Sequence, residues 1–143
     1  MSIETIELWH RRARPKPTDE DFNVQLGCHF EEIEEMMRSI VTDDEDIWQT
    51  LRSEIAILAG LLKDGRLKAQ VADRKEFLDS LADQVVTAIG TGYCAGVKTT
   101  DGIVAVNRSN FSKFDETGSP IFNENGKVMK GPRYAPPNLE GLY

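Results

Sequence analysis

Two short acidic runs carry side chains whose type and spacing could hold a metal ion. The first is Glu31-Glu32-Ile33-Glu34-Glu35. On a helix, Glu32 and Glu35 stand at i and i+3 and Glu31 and Glu35 at i and i+4, so their carboxylates emerge as one patch. The second is Glu76, Asp79 and Asp83, spaced three and four apart and again on one helical face. Like charges placed this way cost an isolated helix about 0.2–0.5 kcal/mol per pair. A divalent cation would offset that cost. Mg²⁺ takes oxygen ligands in octahedral geometry, commonly a few carboxylates with waters and phosphate oxygens. Two helices that each contribute a carboxylate pair are a recurrent way to build such a site. The same spacing also describes a solvated acidic face beside an apolar stripe, and periodicity alone does not choose between them.

A second group of residues could meet phosphate. Asn107-Arg108-Ser109-Asn110-Phe111-Ser112-Lys113 places donors and cations near the end of a helix, and Lys127, Lys130 and Arg133 follow in a Gly- and Pro-containing segment. A triphosphate needs a metal on one side and Lys or Arg on the other. Ordinary surface Lys and Arg would look the same. Tyr134 could stack on a base or pack the tail onto the body. The formal net charge is −7, from 24 acidic and 17 basic residues, which argues against a nucleic-acid-binding module. An acidic protein grips a polyanion only where a bound cation or a local basic cluster reverses the sign.

The elements that must position these groups read as helices. Ile3, Ile6 and Trp9 suggest a short amphipathic helix stopped by Pro15 and Pro17. Thr18 before Asp19-Glu20-Asp21 reads as an N-cap, and Leu26, Phe30, Ile33, Met37 and Ile40 form the stripe of a helix running to about Val41. Thr42 and Glu45 suggest a capping box opening a third helix through Leu62, ended by Lys63-Asp64-Gly65. A fourth helix spans about Asp73 to Ala95, with Phe77, Leu78, Leu81, Val85, Ala88 and Ile89 on one side. Asp101 starts a short helix to about Asn107. Ile121 to Met129, turning at Asn125-Gly126, predicts a small β-hairpin on a type I′ turn. The residues from Lys130 to Pro137 predict an extended tail.

The expected architecture is therefore all-α: a bundle of four to five helices with a small C-terminal β-hairpin and an extended tail. With 143 residues, one domain is expected, divided into an N-terminal helix and Pro linker (1–17), a helical core (18–113) and a hairpin and tail (114–143). Cys28 and Cys94 show no metal or disulfide spacing and read as buried free thiols. Trp9 and Trp48 read as helix-packing aromatics, and His10 and His29 as non-ligands. The N-terminus lacks signal-peptide character, and no apolar run approaches the ~20 residues of a membrane span, so a cytoplasmic protein with no membrane contact is expected. Long amphipathic helices in a chain this small favour self-association.

Taken in order, these motifs resemble the MazG-like and phosphoribosyl-ATP pyrophosphohydrolase-like superfamily of all-α NTP pyrophosphohydrolases, over roughly residues 22 to 139. Glu31-Glu32-x-x-Glu35 is similar to that family's first acidic motif and Glu76-Phe77-Leu78-Asp79 to its second. Arg108 to Lys113 and Asn125 to Pro132, ending in Pro136-Pro137-Asn138-Leu139, resemble segments of one subgroup. The resemblance implies metal ligation by Glu32, Glu35, Glu76 and Asp79, with Mg²⁺ (or Mn²⁺) as cofactor. Asp83, one turn beyond Asp79, could also reach an ion. It further implies phosphate contacts from Asn110, Lys113 and Lys130, and a homodimer or homotetramer. The expected reaction is hydrolysis of a (d)NTP to (d)NMP and pyrophosphate, with Glu31 or Glu35 orienting or deprotonating the attacking water. The alternatives are an enzyme specific for dUTP or phosphoribosyl-ATP, and a non-catalytic helical oligomerisation or regulatory module.

Overall fold

The computed structural model describes residues 3–124 and 126–143. Asn125, the first residue of the expected turn, lies outside the described residues, as do Met1 and Ser2. Among the described residues there are five α-helices and no strand: α1 (Ile3–Ala13), α2 (Asp19–Arg38), α3 (Glu45–Lys63), α4 (Arg74–Cys94) and α5 (Thr99–Phe111). The all-α reading holds, and no described helix is long and apolar enough to cross a membrane. By contact, the chain divides into two compact units: Pro17–Ala72, and Met1–Lys16 together with Asp73–Tyr143.

In the Pro17–Ala72 unit, α2 begins at a capping box. Thr18 Oγ1 accepts from Asp21 N, and the Asp21 carboxylate accepts from Thr18 N. These bonds satisfy end-of-helix donors that the helix itself cannot. The helix stops at Arg38, with Ser39 as its C-cap. Trp48 Nε1 donates to Met37 O at 3.0 Å and so helps to close the end of α2. The expected Thr42 cap is replaced by Asp44, whose side chain accepts from Ile47 N. Asp44 directly precedes Glu45, whereas Thr42 Oγ1 is buried without a hydrogen-bond partner. α2 and α3 pack through Met37, Ala59 and Leu62, and they approach closely at Gly27. A Cβ on Gly27 would lie 2.8 Å from the Ala59 carbonyl oxygen. Asn23 ties down the loop that follows α3, donating to Ala69 O and accepting from Ala69 N.

The second unit is built on α1, α5 and the C-terminal segment. Trp9 stacks on Phe114 (centroids 5.7 Å apart, planes 6° apart), and Phe111 meets Phe114 edge-on. Phe114 is the deepest of these rings, 2% exposed. The tail then runs back along α5. Gly131 N donates to Lys113 O, Ser109 Oγ to Ala135 O, and Lys98 N to Leu142 O. α5 begins at Thr99 and reaches Phe111, earlier and later than its sequence signals predict. Its N-cap, Lys98, offers no side-chain cap, which explains why no start signal appears there.

The predicted hairpin is not formed. Among the described residues between Ile121 and Lys130 there is a single antiparallel bridge, Phe122 with Val128, flanked by bonds from Met129 N to Ile121 O and from Asn123 N to Lys127 O, with Gly126 N on Asn123 O in the turn. A pair of strands this short is at best marginal in water without a third strand or a helix beneath it. Cys94 is exposed rather than buried, and Cys28 is half-buried. α4 has no buried residue, and Leu78, Val85, Val86 and Tyr93 are all exposed.

Candidate functional site

The acidic run on α2 is sorted by direction. Glu34 points inward, its side chain 9% exposed, and is gripped by Arg38 of its own helix and Arg52 of α3. The hydrogen bonds from Arg38, with smaller help from the charges of Arg38 and Arg52, hold the Glu34 carboxyl below its ordinary 4.5, against the opposing effect of partial burial. Glu31 is half-buried and paired with Lys63 at the end of α3, Nζ to Oε1 at 2.5 Å. Glu32 and Glu35 are exposed. The helix therefore turns Glu34 into the protein, holds Glu31 at the edge, and places Glu32 and Glu35 at exposed positions.

In the other unit, Glu76, Asp79 and Asp83 are all exposed on α4. The N-cap Asp73 accepts from Lys75 N and Glu76 N, which sets the first turn and hence the register of these three acids. Oxygen donors presented in pairs on an exposed helical face are the kind Mg²⁺ takes. Among the described residues, no three His, Cys, Asp or Glu side chains are grouped closely enough to hold a metal ion.

The phosphate candidates lie in the same unit as α4, and the structure separates them. Asn107 is buried, and its Nδ2 donates to Thr5 Oγ1 at 2.8 Å, fastening α1 to α5. Its amide serves packing rather than a ligand. Asn110 Oδ1 accepts from Lys113 Nζ at 2.8 Å, and that ammonium lies 5.9 Å from the Trp9 ring centroid. Lys130 Nζ stands 4.5 Å from the Tyr134 ring centroid, so Tyr134 already has a cation on one face. Arg133 donates to Asp115 O, and Lys127 is exposed. The Gly131 to Lys113 backbone bond joins the Lys113 and Lys130 segments.

Sequence reasoning missed several participants. Arg12 lies 5.9 Å from the Phe111 ring centroid, and Arg14 lies 5.5 Å from that of Phe122. Arg12 is in the last turn of α1 and Arg14 directly follows it, and neither is singled out by the sequence. A cavity of about 460 Å³ in the Pro17–Ala72 unit, lined by Asp19, Asn23, Val24, Leu62, Lys63 and Lys68 among others, had no sequence signal either. No family model matches the chain, nor does any curated protein or solved structure.

Proposed function

We propose that this protein is a Mg²⁺-dependent nucleoside triphosphate pyrophosphohydrolase of the MazG-like type, converting a (d)NTP and water to a (d)NMP and pyrophosphate. The observation that carries the reading is the sorting of acids on α2. Glu34 is held inward by two arginines and Glu31 is paired with Lys63 at the edge, and Glu32 and Glu35 stand at exposed positions i and i+3. On this reading Glu32 and Glu35 of α2 and, in the other unit, Glu76, Asp79 and Asp83 of α4 are the acids that would serve as metal ligands; neither set is a close group of three among the described residues. Bound Mg²⁺ (or Mn²⁺) would supply Lewis-acid polarisation of phosphate oxygens and charge neutralisation.

The chain's own residues then have definite tasks. Glu35, exposed and without an ion pair among the described residues, orients the attacking water and accepts its proton. Glu31 could share this work only by yielding its bond to Lys63. Attack at the α-phosphorus breaks the bond to the β-phosphate's bridging oxygen, and pyrophosphate leaves carrying that electron pair. Lys113, steadied by Asn110, and Lys130, over Tyr134, meet the charge that grows on the leaving group. Arg133 and Lys127 add positive potential. The cavity beside Asn23 is of a size that suits a nucleoside. Asn23 lies about 12 Å along α2 from Glu31, at 1.5 Å per residue over eight residues, and Lys63, which lines the cavity, is bonded to Glu31.

Self-association belongs to the same reading. α4 presents Leu78, Val86 and Tyr93 at 69%, 67% and 83% exposure, an apolar surface that a second copy would cover in a homodimer or homotetramer.

The decisive experiment measures pyrophosphate and orthophosphate release from a panel of NTPs and dNTPs, including dUTP, with Mg²⁺, with Mn²⁺ and with EDTA. Metal-dependent pyrophosphate without orthophosphate is expected. Silence across the panel would remove this reading and favour a non-catalytic oligomerisation module.

A further inference from the structure

We propose that Arg14 is a positioning residue for the phosphate-binding cations Lys127 and Lys130, an inference that rests on the pyrophosphohydrolase reading above. Both lysines lie on, or at the end of, a segment with one bridge, Phe122 with Val128, the bonds Met129 N to Ile121 O and Asn123 N to Lys127 O, and turn bonds from Gly126 N and Lys127 N to Asn123. A ribbon that small does not hold its shape in water unaided. These bonds fix the turn locally, and groups that grip the segment from outside fix where it lies on the rest of the unit.

Arg14 grips it twice. Its Nη2 donates to Gly126 O at 2.6 Å, at the residue preceding Lys127. Its guanidinium also lies 5.5 Å from the centroid of Phe122, one of the two bridge residues. The planar fork of arginine can hydrogen-bond in its plane while stacking on a ring, which a lysine ammonium cannot reproduce. Arg14 is itself well anchored. Its backbone N–H bonds to His10 O, and α1 is fastened to α5 by Asn107 on Thr5 and by Trp9 Nε1 on Asn110 O at 2.8 Å. Asn110 also holds Lys113. One frame thus runs from Lys113 through Asn110, Trp9 and α1 to Arg14 and on to Lys127. The bond from Gly131 N to Lys113 O closes it at the Lys130 end.

The test compares the full chain with Arg14→Ala and Arg14→Lys by three readouts: steady-state pyrophosphate release, amide exchange over residues 121–130, and titration with inorganic tripolyphosphate in Mg²⁺. Arg14→Ala is expected to raise KM about tenfold with kcat changed about twofold or less, the pattern of lost substrate binding. It should also speed exchange at Gly126 and Met129 and weaken tripolyphosphate about tenfold, with far-UV helicity retained. Arg14→Lys should restore the charge but little of the exchange protection or affinity. Unchanged exchange overturns the proposal. Faster exchange with unchanged KM and tripolyphosphate affinity also overturns it, because the role is then structural only. If the unaltered protein turns over no nucleotide, the pyrophosphohydrolase reading fails, and the tripolyphosphate titration decides Arg14 alone. Equal affinity in the variant, or no binding by either protein, overturns it.

Discussion

Arg52 of α3 reaches Glu34 of α2, Nε to Oε1 at 3.3 Å, where the Glu34 side chain is only 9% exposed. Arg38 meets the same carboxylate from one turn along α2. Removing one member of such a group leaves its partners uncompensated, whereas an exposed pair contributes little. Arg52→Ala and Glu34→Gln should therefore each lower the melting midpoint, and the double variant should lose less than the sum of the two. Thermal unfolding followed by circular dichroism reads this. Strict additivity would show that the pair is uncoupled.

The same carboxylate fixes an acid limit. A group whose folded pKa is depressed stabilises the fold above its unfolded pKa and loses that stabilisation as pH falls through the folded value. Glu34 is depressed from 4.5 by the Arg38 hydrogen bonds, and Asp115 from 3.8 by Thr117 and Ser119. Their support should be intact above about pH 5 and fade as pH falls below 4.5. His10 is depressed from 6.5 by partial burial first and Arg14 second, so protonating it opposes folding below that value. Midpoints measured from pH 8 to pH 3 should show a shallow decline beginning near 6.5 and a steeper one below 4.5. Glu34→Gln should flatten the lower limb. An unchanged lower limb in that variant would refute the assignment to Glu34.

Two glycines on neighbouring helices make opposite predictions. A Cβ on Gly60 would meet nothing within 4 Å, so Gly60→Ala gains helix propensity of roughly 0.5–1 kcal/mol. A Cβ on Gly27 would press to 2.8 Å from the Ala59 carbonyl and 2.6 Å from Lys63 Cγ. The lysine stem can swing away, but the backbone oxygen cannot. Overpacking of about 1–3 kcal/mol then outweighs the propensity gain. Urea titrations should show Gly27→Ala destabilised and Gly60→Ala stabilised, and the reverse order would disprove the close approach.

The extents of α2, α3 and α4 were largely legible in the sequence, because Thr18, Asp73 and the glycines after α3 and α4 are local signals. Thr42 misled because the cap is decided by which side chain directly precedes the first turn, and Asp44 does. The hairpin misled in another way: alternation and Asn-Gly chemistry favour a turn, but strands need neighbours. At the candidate site, the two acidic patches could be read, but their sorting could not. Within Glu31-Glu32-Ile33-Glu34-Glu35 nothing local marks Glu34 as the inward acid. That choice is made by Arg52 and Lys63, which lie a full helix away in sequence. Arg14 was invisible for the same reason, since its partners come from residues 122 and 126.

Chemistry and stability should separate cleanly on α2. Glu35→Gln changes an exposed carboxylate, and under the proposed mechanism it should lower kcat by on the order of 10²-fold or more with the melting midpoint nearly unchanged. Asp79→Asn on α4 should behave alike. Glu34→Gln, one position away from Glu35, should do the opposite, costing stability while leaving kcat near normal at a temperature well below its midpoint. Full activity in both Glu35→Gln and Asp79→Asn would sink the site assignment.

The exposed side of α4 gives the last test. Leu78 and Val86 are eight residues apart, about two helical turns, so both can be covered by one flat partner surface. If that partner is a second copy, Leu78→Glu with Val86→Glu places repelling charges on both sides of the contact. Light scattering behind size exclusion should then show the assembly of the unaltered chain reduced to a single 16.0 kDa chain. Helicity of the separated chains should hold, because no residue of α4 is buried within its own chain. An assembly unaffected by both substitutions would place the contact elsewhere, and a monomeric unaltered protein would remove self-association from the proposal.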